Sequence, residues 1–105
     1  MLSPKESKTL QQSIKGMDVK KFAMAFDALG EPNRCLLFRA LLKHDAITVG
    51  ELAQAVGISE SLASQHLKVL LQASLVTKTK SGTFVNYSVN KGDGMVEALR
   101  KAVEA

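Results

Sequence analysis

Ser61, Ser64, Gln65, Lys68 and Gln72 recur at intervals of three, one, three and four residues. At about 100° per residue this spacing gathers them on one side of a helix, opposite Ala63, Leu67 and Leu70. Hydroxyls and amides both donate and accept hydrogen bonds, and the lysine adds positive charge. Such a set can read polar edges and hold anions. Base edges in a major groove, with phosphates beside them, present that chemistry. The side chains are mostly short, which lets the helix sit deep. The ordinary alternative is a solvated face, but solvated faces usually mix Glu with Lys, and this one carries no acid.

Other reactive side chains are sparse. The 105 residues contain one cysteine and two histidines. Metal sites need clustered deprotonated ligands, and Cys35, His44 and His66 do not cluster in sequence. There is no Gly-rich phosphate loop and no paired nucleophile and base. We therefore read a protein that works by recognition, not an enzyme, with no cofactor and no metal. Cys35 reads as a small buried hydrophobe, with a single-cysteine redox response as the alternative. His66 borders the apolar face and suits a packing or structural hydrogen bond. His44 reads as an exposed turn residue. Glu60 suits the positive end of a helix and would face the phosphates. Arg34 could cap a helix, pair with an acid or touch phosphate.

Charge points the same way. The chain has 14 basic and 10 acidic residues, a net charge of +4. Between Ser61 and Gly92 stand Lys68, Lys78, Lys80 and Lys91 and no acid, while the rest of the chain balances. A local positive field attracts polyanions, DNA foremost.

The elements that must hold these residues follow from period and punctuation. A helix is expected over Ser7–Ile14, with Gly16 after it. A second runs from about Asp18 to Leu29 on the stripe Val19, Phe22, Ala23, Phe26 and Leu29, and Gly30 stops it. Pro32 opens a third, reaching Lys43, apolar almost all round and so the expected buried centre. A short helix spans Val49–Val56 and ends at Gly57. Ser59 then caps Glu60–Gln72. Two short helices joined by a turn containing Gly form a helix-turn-helix.

After Leu75 the period changes to that of strands. Val76–Lys80 and Thr83–Val89 flank a hairpin turn at Ser81-Gly82. Val76 is expected to point outward with its lysine neighbours, and Val85, Tyr87 and Val89 to share a face. Lys78, Lys80 and Thr83 surround the tip and could track a DNA backbone, although edge lysines also block aggregation. A last helix spans about Met95 to Val103. The fold class is mainly α, with five or six helices and a two-stranded hairpin: a winged helix-turn-helix. Residues 1–17 read as a partly helical extension and 18–105 as the domain. One cysteine, no signal-type segment and no membrane-length apolar run suggest a cytoplasmic protein.

At this point the residues resemble a family. Ala28-Leu29-Gly30-Glu31-Pro32-Asn33-Arg34, Glu51-Leu52-Ala53, the run Ile58 to Leu70 and Phe84-Val85-Asn86-Tyr87-Ser88-Val89 are similar, in order, to ArsR-type regulators. The resemblance implies a homodimeric repressor of transcription bound to double-stranded DNA. Ser59, Ser61, Ser64, Gln65, Lys68, Lys78, Lys80 and Thr83 would contact DNA. It also implies dimerisation through terminal helices, with Val19, Phe22, Phe26, Met95, Leu99 and Ala102 at the interface. The metal sites that many members carry do not carry over. Thr48-Val49-Gly50 stand where arsenic and cadmium sensors have Cys-x-Cys, and residues 94–105 contain no His, Asp or Cys. A winged-helix module that binds protein rather than DNA is the other reading, and the basic hairpin argues against it.

Overall fold

The computed structural model describes residues 1–104; Ala105, the last residue of the expected domain, lies outside the described residues. Helix α1 spans Pro4–Lys15. It starts earlier than the Ser7 expected because Ser3 and Glu6 form a reciprocal capping box and Pro4 fits the first turn. Helix α2 (Val19–Leu29) is capped by the Asp18 carboxylate, and α3 (Pro32–Lys43) by that of Glu31. Thr48 and Glu51 form a second capping box at α4 (Val49–Val56). Ser59 caps α5 (Glu60–Gln72), its hydroxyl accepting from Leu62 N–H at 3.1 Å. Strands β2 (Val76–Ser81) and β3 (Phe84–Val89) precede α6 (Gly94–Glu104).

The sheet differs from the expected two-stranded wing. A further strand, β1 (Ile47–Thr48), pairs antiparallel with β3, so the order is β1-β3-β2. Two residues are too few to show an alternating pattern, and Ile47 finds its place opposite Tyr87 only in the folded chain. The hairpin turn also lies one residue later than expected: Ser81 pairs with Phe84, leaving Gly82 and Thr83 as the loop. Val76 does not point outward; it is buried. Val76, Lys78 and Lys80 share one sheet face by alternation. At Val76 that face covers the core, and the two lysines beyond it are exposed.

The core gathers around α3, through Leu37, Phe38 and Leu41. Leu52 of α4, Leu67 and Leu70 of α5, Tyr87 and Val89 of β3, and Val96 of α6 pack with them. The burial of α3 is not complete: Leu36 is exposed and Cys35 is half-buried rather than buried. Helix α1 adds nothing to this core. None of its residues is buried, and Leu10, Ile14 and the following Met17 face solvent. The molecule is accordingly long, 60 Å by 25 Å by 23 Å. Its radius of gyration is 17.1 Å, against about 13 Å for a compact chain of about 100 residues.

Candidate nucleic-acid interface

The outward side of α5 follows from its inward side. Ala63, Leu67 and Leu70 are fully buried, and this sets which side of the helix faces the core. Ser61, Ser64, Gln65, Lys68 and Gln72 then lie on the opposite side, where Ser61, Ser64, Gln65 and Lys68 are exposed. The hydroxyl of Ser59 caps α5 by accepting from Leu62 N–H, which leaves its own O–H able to donate. Gly57 makes the preceding turn. It adopts φ +84°, a left-handed conformation that side chains disfavour, and its N–H closes on Ala53 O at 2.8 Å.

Glu60 is exposed at the first position of α5. Its carboxylate lies across α4, 2.8 Å from where a Cβ on Gly50 would stand. Glu60 itself stays exposed, so its charge remains at the start of the helix, beside the acid-free run from Ser61 to Gln72.

Of the four lysines between Ser61 and Gly92, Lys91 is paired with Asp45. Lys68, Lys78 and Lys80 enter no ion pair among the described residues. Lys78 stands opposite Tyr87 and Lys80 opposite Val85 in the β2–β3 ladder. Lys78, Lys80 and Thr83 are all exposed, as is Phe84 beside the loop, at 65%. Sequence reasoning misses Phe84, because an aromatic in a strand reads as core.

The residues expected to join two subunits divide. Val19 and Phe26 are each 57% exposed, and Ala102 is exposed. Phe22 packs partly on the core, its ring 6.2 Å from that of Phe26. Met95 and Leu99, however, are buried in the chain's own core. Helix α6 spends that side of its stripe on this subunit because it packs on α3.

Arg34 is half-buried and enters no ion pair with an acid among the described residues. It donates from Nε to Ala28 O at 2.6 Å and from Nη2 to Asp27 O at 3.5 Å, closing the end of α2. His66 makes the structural contacts expected of it, with Nδ1 3.3 Å from Arg34 Nη1 and Nε2 3.5 Å from Glu31 Oε2. Among the described residues, no three His, Cys, Asp or Glu side chains gather as a metal site would require. No described helix is long and apolar enough to cross a membrane.

Comparisons with known proteins agree with this layout. Residues 29–79 match the family described as a helix-turn-helix domain, a span running from the end of α2 into β2. The arsenical resistance operon repressor of Bacillus subtilis is 32% identical over 72 residues, 69% of each chain. The transcriptional repressor SdpR of the same organism is 35% identical over 65 residues, 62% of this chain and 71% of that protein. The chain belongs to the ArsR-type family. Solved structures extend the likeness to nearly the whole ArsR-type fold. NolR from Sinorhizobium fredii superposes with a TM-score of 0.71 at 28% identity, covering 99% of this chain and 92% of that one. Reduced HlyU from Vibrio cholerae gives 0.75 at 26% identity, over 89% and 94%. The relatives named here are repressors of transcription, and the winged helix-turn-helix is the architecture found in this chain.

Proposed function

We propose that this chain is a homodimeric, sequence-specific repressor of transcription that acts in the cytoplasm by recognition alone. Ser61, Ser64, Gln65 and Lys68 read or grip one major groove. Lys78, Lys80 and Thr83 hold the neighbouring backbone. The observation that carries this reading is the set Ser61, Ser64, Gln65 and Lys68, exposed together on one side of α5, polar and without an acid among them. In a two-fold dimer the recognition helices would meet half-sites about one helical turn apart.

The dimer is supported by apolar surface without a partner in the single chain. Val19 and Phe26 stand exposed on α2, and Leu10 and Ile14 on α1. An isolated helix shorter than about 12–15 residues is marginal in water. The 12 residues of α1 therefore suit packing against a second copy, with 1–17 as an arm and 18–104 as the body. Met95 and Leu99 shape α6 from within, leaving Ala102 with the α2 residues at the interface.

Fluorescence anisotropy with random duplex DNA across a salt series tests the electrostatic part. Affinity is expected to fall as salt rises, and binding indifferent to salt overturns the proposal. Selection of bound sequences from a random pool then yields the operator. Sedimentation of the wild type and of Leu10→Glu/Ile14→Glu tests the dimer: the wild type is expected to sediment as a dimer and the variant as a monomer.

A further inference from the structure

One polar side chain of α5 does not belong to the outward face. His66 is only 13% exposed and sits between two charged groups of α3 and its cap. Arg34 Nη1 approaches its Nδ1 at 3.3 Å, and the Glu31 carboxylate approaches its Nε2 at 3.5 Å. A guanidinium only donates and stays charged, so the nitrogen facing it must accept. The proton of a neutral imidazole then belongs on Nε2, the nitrogen facing the carboxylate. The two neighbours thus specify one tautomer and one ring orientation.

The same guanidinium is anchored elsewhere, on the last carbonyls of α2 at Ala28 and Asp27. Glu31 is anchored too, since its carboxylate accepts from Arg34 N–H at 3.0 Å and caps α3. Three helices therefore meet at one polar joint. His66 is the residue through which α5 enters it. From the start of α3 the charged groups facing the imidazole are Glu31 and Arg34. From α2 only backbone carbonyls reach the joint, through Arg34. On α5 itself, the residues three and four away are Leu62, Ala63, Val69 and Leu70, all apolar.

The rest of the α5 anchorage is apolar: Ala63, Leu67 and Leu70 are buried, and Val69 and Leu71 pack partly against the core. Apolar burial has no direction, so it leaves a helix some freedom to roll. The Arg34–His66 hydrogen bond is directional and, with the Glu31 charge beside it, opposes that roll. A reading side chain out of place by a fraction of an ångström loses its hydrogen bond to a base, and Gln65 is the immediate neighbour of His66.

We propose that His66 is a positioning residue for DNA reading. Through Arg34 and Glu31 it sets the fine roll of α5, and so governs discrimination between sequences more than the grip on DNA in general. This rests on the reading of α5 as the recognition helix. Arg34 and Glu31 act through His66 and need not touch DNA.

The test measures binding of the selected operator and of a random duplex by the wild type, His66→Ala, His66→Gln and Arg34→Lys. Gln keeps a donor for Glu31 and an acceptor for Arg34. Lys keeps the charge but loses the fork that spans carbonyl and imidazole. His66→Ala and Arg34→Lys are expected to lower the operator-to-random ratio about five- to tenfold, the range of one or two net hydrogen bonds, with random binding nearly unchanged. His66→Gln is expected to restore most of the ratio. Equal losses on both DNAs would mean that His66 merely stabilises the fold, and would overturn the proposal. So would a full ratio in His66→Ala. If His66→Ala does not fold, Arg34→Lys against His66→Gln decides by the same ratio. A wild type that selects no DNA instead overturns the recognition reading itself.

Discussion

Lys21 Nζ lies 3.4 Å from a carboxylate oxygen of Asp93, joining the first turn of α2 to the start of α6. The other oxygen of Asp93 accepts from Met95 N–H at 2.8 Å. One carboxylate thus caps one helix and pairs with another. Burial pushes its pKa up, but the Met95 and Val96 N–H groups and Lys21 outweigh this and hold it below the ordinary value. A lowered folded pKa favours the folded state when the group is ionised. That contribution is complete above the unfolded pKa, about 3.9, and is lost as pH falls through the lower folded value. Asp93→Asn should flatten this acid limb in urea titrations run at several pH values. Asp93→Ala should cost about 1 kcal/mol at neutral pH, as cap removals do. Lys21→Ala should cost less, because the lysine is half-exposed and surface pairs contribute little.

Gly57 meets nothing within 4 Å of an added Cβ, yet holds φ +84°. Gly57→Ala should therefore destabilise through the backbone alone, by about 1–2 kcal/mol. Thermal melts should show a Tm lower by about 4–8 °C per kcal/mol. Gly57→Asn should lose less, since Asn tolerates the left-handed region.

The wing lysines should act without regard to sequence. Lys78→Ala/Lys80→Ala is expected to weaken operator and random duplex alike. The slope of log affinity against log salt should become shallower by about 0.9 for each phosphate that is no longer neutralised. An unchanged slope would remove the wing from the interface.

Gln65 and Ser59 should separate reading from folding. Gln65→Ala is expected to relax preference at one base pair by about 1–3 kcal/mol while leaving random binding intact. Ser59→Ala removes the cap of α5. It should lower stability by about 1 kcal/mol and leave the preferred sequence unchanged.

The elements with strong local signals are legible without any knowledge of packing. Helix α5 begins and ends where Ser59 and its apolar period place it, and Gly57 marks the turn before it. The acid-free face can be drawn from spacing alone, because helical geometry maps sequence intervals onto directions. β1 is not legible, since two residues carry no period. The fate of Met95, Leu99 and Val76 is hidden for a related reason. An apolar stripe shows that a side will be covered but does not show by what.

The sequence by itself determined the order of the helices and of the β2–β3 hairpin and the polar face of α5, because local chemistry and period suffice for these. Tertiary structure alone decided that Glu60 folds onto Gly50, that Arg34 closes α2 and that His66 joins both to the recognition helix. Those contacts link residues up to 32 positions apart. Their direction depends on how helices α2, α3 and α5 pack, and no interval along the chain encodes it.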